Sequence, residues 1–200
     1  MYIGRFVLAG RTTNGTRYLG YRVSSRSFPN RRIALVGGGA VVLPTADAPP
    51  SDNPYIAYNC LRSHGQTTVI ANGSHADPII EKVGAGYPVR DALALALLAL
   101  DYEHDSLNTP RIAAAWEGET AYIAIVTPHK LLVQRLQPSP GSAILIATYE
   151  LTDPTTVRLA AITPEALARE IYSLPYEHPV ASLATMLYEP QVSATIGPDN

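Results

Sequence analysis

At the start of the chain, apolar and polar residues alternate with a period near two, and that alternation predicts strands. Residues 1–9 and 17–25 flank Asn14-Gly15, a strong hairpin-turn signal. Residues 32–36 and 40–43 read as short strands around Gly37-Gly38-Gly39. The stretch from Pro44 to Pro54 holds four prolines and little that is apolar, so it reads as a loop. Residues 55–62 and 67–71 form a further strand pair turned at Gly65. The period then lengthens. Residues 76–84 predict a short helix, and 88–104 a longer one with Pro88 at its start and Asp91 in its first turn. Its body at 92–100 is apolar almost all round, which predicts a buried helix. Strands return at 110–116, 120–127, 131–136 and 143–149, with turns at Glu117-Gly118-Glu119, Pro128-His129-Lys130 and Pro138 to Gly141. Thr163 is placed to cap a helix reaching about 172. A last helix is expected over 179–187, with a frayed tail after Glu189.

The resulting order is strands, two helices, strands, two helices. It predicts a pair of sheets covered by helices on both outer sides, and is too coarse for a doubly wound βαβ fold. The chain shows no internal repeat. Its 200 residues suit a single domain over 1–200. An apolar fraction of 46% argues against disorder, and the lone Cys60 excludes a disulfide scaffold. One thiol, with no export signal around Phe6 to Ala9, points to the cytoplasm. The longest apolar stretch, Ala92 to Leu100, is about half of the ~20 residues a membrane helix requires, so no membrane association is expected.

Charge changes this picture. Seven arginines and no lysine precede the first acid, Asp47, so the first 46 residues carry +7; with a total of −2, the remainder carries −9. For Arg5, Arg11 and Arg17 the simplest expectation is pairing with later acids in the fold. The stretch Tyr21-Arg22-Val23-Ser24-Ser25-Arg26-Ser27-Phe28-Pro29-Asn30-Arg31 invites more. If 17–26 is a strand, Arg22, Ser24 and Arg26 share a face, and two guanidiniums with a hydroxyl between them are sized for one phosphate. The competing reading is an exposed polar edge strand. Beyond residue 32 no basic and aromatic residues interleave, and with a pI near 6.2 nucleic acid is not an expected partner.

Several chemistries lack their motifs. There is no P-loop, no G-x-G-x-x-G at the opening of a helix and no G-x-S-x-G elbow. Cys60 falls in a strand and reads as a buried, inert thiol. Asp101, Glu103, His104 and Asp105 crowd one helix end, but with His75 the only other nearby candidate they lack a second ligand pair, so no metal is expected. In Leu100-Asp101-Tyr102-Glu103-His104-Asp105 a carboxylate would face the negative end of the helix dipole. That favours its protonated form and suits a proton shuttle; the competing reading is a solvated helix end.

Both strings, together with Asn53-Pro54-Tyr55-Ile56-Ala57-Tyr58-Asn59-Cys60, Asn72-Gly73-Ser74-His75 and Leu107-Asn108-Thr109-Pro110-Arg111-Ile112-Ala113-Ala114, resemble the archaeal-type IMP cyclohydrolase family. The resemblance covers roughly residues 1–150 in order and spacing. It departs over 32–52, and it is less distinct in the last 50 residues apart from His178-Pro179-Val180. It implies an α+β fold, a four-layered αββα sandwich of the N-terminal-nucleophile hydrolase type. Hydrolases of that wider group expose Ser, Thr or Cys as the first residue. Met1-Tyr2 offers none, so amide hydrolysis through an N-terminal nucleophile is disfavoured.

The resemblance also implies a reaction, closure of 5-formamidoimidazole-4-carboxamide ribonucleotide to IMP with loss of water, the last step of de novo purine biosynthesis. By motif position, Arg31 would stabilise charge and Glu103 would shuttle protons. Ser24, Arg26, Tyr58, Asn72, Asn108 and Arg111 would hold phosphate, ribose and base. No step calls for a metal, a redox cofactor or ATP. The implied partner is a small-molecule nucleotide, and self-association into a homo-oligomer would suit the 12 tyrosines against 2 phenylalanines. Two other readings stay open. One is an amidohydrolase on the same fold, using Cys60 or an internal serine. The other is a non-catalytic purine nucleotide-binding protein.

Overall fold

A computed structural model describes residues 1–188 and 191–198. The predicted opening hairpin is β1 (Phe6–Arg11) and β2 (Arg17–Ser24), paired antiparallel from Phe6 opposite Arg22 to Arg11 opposite Arg17. Next come β3 (Arg31–Val36), β4 (Gly39–Pro44), β5 (Tyr58–His64) and β6 (Thr67–Ala71), then α1 (Ala76–Gly84) and α2 (Val89–Leu100). After the helices run β7 (Arg111–Glu117), β8 (Thr120–Thr127), β9 (Lys130–Leu136), β10 (Ser142–Ala147) and β11 (Thr155–Arg158). The chain continues with α3 (Pro164–Tyr172), β12 (Pro179–Met186) and β13 (Val192–Ile196).

The strands form two antiparallel sheets. One follows chain order, β3-β4-β5-β6-β7-β8-β9; the other is ordered β11-β10-β1-β2-β12-β13. Side-chain alternation sorts each strand between two cores. Along β7, Ile112, Ala114 and Trp116 point between the sheets, where they join Leu19, Tyr21 and Val23 of β2 and Leu183 of β12. Ala113 and Ala115 point the other way, beneath Ile79 of α1 and Leu93 and Leu97 of α2. The small alanine side chains let that helix pair lie close to the sheet. On the far side, Leu167, Ala168 and Ile171 of α3 cover Phe6 and Leu8 of β1, Tyr18 of β2 and Leu145 of β10. Thr163 caps α3 as its sequence predicts, its hydroxyl accepting from the Ala166 N–H.

Three expectations are corrected. The helix expected over 179–187 is strand β12, so the order closes with one helix and two strands. From Val180 to Met186 every residue is buried, because β12 runs between β2 and β13 with a core on each face. A run buried on both faces carries neither the two-residue nor the 3.6-residue period. The tail expected to fray contains β13, paired to β12 from Val192 opposite Met186; residues 189, 190, 199 and 200 lie outside those described. The helix expected to reach 104 ends at Leu100, where Asp101 turns the chain with φ 54°. Among the described residues no helix is long and apolar enough to cross a membrane.

Candidate active site

A cleft opens where the entry to β1, the β2–β3 loop, residues 53–56 and the α2–β7 loop meet. The α2–β7 loop is stapled by one carboxylate. Asp105 accepts from the N–H groups of Leu107 and Thr109 and, at 2.7 Å, from the Thr109 hydroxyl. Asn108 takes a left-handed conformation (φ 49°), which asparagine tolerates better than most residues. The Glu103 N–H donates to the Thr109 carbonyl at 2.8 Å. So built, the loop turns Glu103 inward until 2% of its side chain is exposed.

Glu103 is held by arginines rather than by the end of a helix. Its Oε2 accepts from Nη2 of Arg5 at 2.7 Å, and its Oε1 lies 3.9 Å from Nη1 of Arg111. Arg5 also donates to the Asn72 carbonyl, and Arg111 through Nε to the Asp101 carbonyl. Burial by itself would lower the Arg5 guanidinium; the Glu103 carboxylate beside it, with the hydroxyls of Tyr58 and Tyr21, carries it well above its ordinary value. Arg111 is lowered, chiefly by burial and against the pull of Glu103. The expected pairing of the early arginines with later acids is what the fold shows: Arg5 with Glu103, and Arg11 and Arg17 with Glu119.

The phosphate-sized face expected from Arg22, Ser24 and Arg26 is not formed, because β2 ends at Ser24 and Arg22 faces α3. Arg22 is fully buried. Its guanidinium donates to the carbonyls of Tyr172, Leu174 and Tyr176 at the C-terminal end of α3, and its Nε donates to the Ser24 hydroxyl. Burial lowers it to about 10, which leaves it charged at neutral pH. The guanidiniums that line the cleft are Arg26 and Arg31, with Ser24, Ser25 and Ser27 around them. Arg26 stacks on the Tyr2 ring at 4.1 Å. Arg31 is buried at the start of β3, where its Nε donates to the Phe28 carbonyl. Among the described residues neither makes an ion pair, whereas the acids of the cleft are engaged: Glu103 by Arg5, Asp105 by its own loop. The free charge facing the cleft is therefore positive.

The remaining sequence candidates separate by depth. Tyr58 is buried in the inter-sheet core, with its hydroxyl 2.6 Å from that of Tyr21. Asn72 is fully buried; its amide spans the backbone, donating to the Pro110 carbonyl and accepting from the Ile112 N–H. Arg111 lies behind Glu103, and the Asn108 side chain is exposed beside the cleft-lining Leu107 and Thr109. Ser24, Arg26, Arg31 and Glu103 share the lining; Tyr58, Asn72, Asn108 and Arg111 support or border it. Arg5, Tyr2, Thr109 and Tyr149 also line it, and none was singled out from sequence as a site residue. The excess of early arginines was the one signal for Arg5. Tyr149 reaches the cleft through a 2.8 Å bond between its hydroxyl and that of Thr109. His178 touches the edge of Tyr2, one residue removed from the cleft. Cys60 lies in the inter-sheet core, where burial pushes its thiol up and removes it from nucleophilic use.

Two guanidiniums without ion-pair partners among the described residues share one cleft lining with an immobilised carboxylate, an arrangement that suits a small anionic ligand. A family model described as IMP cyclohydrolase-like protein matches residues 2–190. Relatives named IMP cyclohydrolase agree: one from Methanocella arvoryzae is 47% identical over 91% of this chain and 90% of its own length. Another, from Haloquadratum walsbyi, is 46% identical over 92% and 90%. A third, from Methanococcus maripaludis, is 36% identical over 98% and 100%. The chain belongs to the IMP cyclohydrolase-like family.

Proposed function

We infer that this chain catalyses the cyclisation of 5-formamidoimidazole-4-carboxamide ribonucleotide to IMP. The observation that carries the reading is that Arg31 and Glu103, 72 positions apart in the chain, line one cleft whose uncompensated charge is positive. Family membership supplies the chemistry. The carboxamide nitrogen adds to the formyl carbon of the same molecule, and a proton leaves the nitrogen. The resulting carbinol then loses its hydroxyl with a proton, as water. Both reacting groups sit on one ring, so proximity is largely built into the substrate. What remains is orientation, charge stabilisation and proton transfer. Glu103 takes the nitrogen's proton and returns one to the departing oxygen. Arg31 stabilises the charge that gathers on that oxygen. Arg26, with Ser24, Ser25 and Ser27, receives the 5′-phosphate. Arg5 and Arg111 hold the carboxylate in place.

The same reading takes residues 1–200 as one domain working in the cytoplasm. It takes the two sheets, with α1 and α2 outside one and α3 outside the other, as a four-layered αββα sandwich of the N-terminal-nucleophile hydrolase type. A purified sample incubated with the formylated carboxamide ribonucleotide and followed by IMP absorbance tests the activity. Wild type is expected to turn over. Glu103→Gln and Arg31→Gln are each expected to lose at least about 100-fold in kcat, the scale of one missing transition-state partner. Binding of IMP by wild type without turnover would overturn the reading in favour of a binding protein.

A further inference from the structure

Behind Glu103, three buried polar atoms converge on Gly73 and have no hydrogen-bond partner among the described residues: Nδ1 of His75, Oε1 of Glu103 and Nη1 of Arg111. The position a β-carbon would take on Gly73 lies 3.0 Å from Nη1 of Arg111, 3.2 Å from Nδ1 of His75 and 3.5 Å from Oε1 of Glu103. The three cannot satisfy one another. The Glu103–Arg111 separation of 3.9 Å is too long for a hydrogen bond, and Nδ1 and Oε1 are both acceptors.

The acceptor state of His75 follows from its other nitrogen. Nε2 stands 2.9 Å from the Ile112 carbonyl, which can only accept, so the ring proton is on Nε2 and Nδ1 is bare. Burial, with Arg111 and Arg5 nearby, keeps the ring neutral. Two of the three atoms are therefore acceptors and the third is a donor. A single water meets that demand, with two O–H donors and a lone pair for the guanidinium. Three protein partners is the usual number for a buried water.

We propose that this cradle holds one water, which donates to Nδ1 of His75 and Oε1 of Glu103, accepts from Nη1 of Arg111, and fixes the carboxylate so that the Oε2 gripped by Arg5 is the oxygen presented to the cleft. His75 is then a positioning residue acting through the water, and a β-carbon on Gly73, 3.0–3.5 Å from the same three atoms, would crowd it. The role in turnover rests on the cyclisation proposed above; the water is read separately, from its density.

A high-resolution crystal structure of the unliganded protein tests the site. A peak within about 3 Å of all three atoms is expected, and a clear map without it overturns the proposal. Two variants test the role. His75→Gln keeps a donor near the Ile112 carbonyl and removes the acceptor facing the water. His75→Asn keeps an acceptor near the Nδ1 position and gives up the Ile112 bond. A positioning role through the water predicts that the Gln variant loses about tenfold in kcat with KM within about twofold, while the Asn variant stays within about threefold of wild type. The reverse order would show that the Ile112 bond is what matters, and equal losses that the acceptor facing the water has no role of its own; either would overturn the role. If the Gln variant does not fold, Gly73→Ala carries the same test: its methyl crowds the three atoms that would hold the water, leaves the Ile112 bond intact and is expected to lose about tenfold in kcat; wild-type kcat would overturn the role. A protein that shows the water but no cyclisation refutes the reaction and leaves the site standing.

Discussion

Nη2 of Arg5 lies 2.7 Å from Oε2 of Glu103, across 98 positions of the chain, with both side chains buried. The pair joins the segment entering β1 to the loop entering β7, and so ties the two sheets together at the cleft. Removing Arg5 alone strands a buried carboxylate beside Arg111. Arg5→Met is expected to cost about 3–5 kcal/mol of stability, whereas the double variant with Glu103→Gln should cost clearly less than the two single losses added. Urea unfolding of the four proteins measures this coupling.

Arg22 and Arg26 are four residues apart, yet they should fail in different ways. Arg22→Met removes four hydrogen bonds, to Ser24 and to the carbonyls that end α3. It is expected to lower stability by about 2–4 kcal/mol and leave KM within about threefold. Arg26 is exposed and stacked on Tyr2. Arg26→Ala is expected to raise KM about tenfold and to change stability by less than about 0.5 kcal/mol. Thermal melts paired with steady-state kinetics separate the two.

Burial lowers the His75 imidazole from 6.5 to about 3, while in the unfolded chain it titrates at its ordinary value. Between those values the unfolded state binds a proton that the folded state does not. The stabilisation is full above about pH 6.5 and is lost as pH falls toward 3. The stability difference between wild type and His75→Asn should therefore shrink from pH 7 to pH 4.5. Urea titrations at the two values check it, and a constant difference would contradict the burial.

Asp101 ends α2 with φ 54° and ψ −172°, a region that glycine enters with far less strain than other residues. The bond it must keep, its carbonyl to Nε of Arg111, belongs to the backbone. Asp101→Gly loses only an exposed contact with His104. It is expected to gain about 1 kcal/mol, the relieved strain less the added freedom of the unfolded chain. Calorimetry on the variant, with kcat as a control for loop position, decides it.

Glu103 was legible in sequence as a carboxylate of the right kind, but its surroundings were not. The residues that set them, Arg5, Arg111 and His75, come from three other segments, and no local pattern pairs them. Arg22 shows the converse. Strand alternation places it beside Ser24 correctly, but cannot say that the face it shares is covered by the carbonyls following α3.

Local order alone determined the opening hairpin, the strand pairs β3–β4, β5–β6, β7–β8 and β8–β9, the α1–α2 pair and the Thr163 cap, because each turns back or closes within a few residues; the joins of β4 to β5 and of β6 to β7 span longer stretches of chain. Motif spelling marked Arg31 and Glu103. The tertiary structure decided what periodicity cannot carry: that 179–186 is a strand, since burial on both faces erases its period, and that Arg26 rather than Arg22 faces the cleft. It also decided that Glu103 is governed by guanidiniums rather than by a helix end. A side chain's charge environment is a sum over space, and the chain meets itself there only after it has folded.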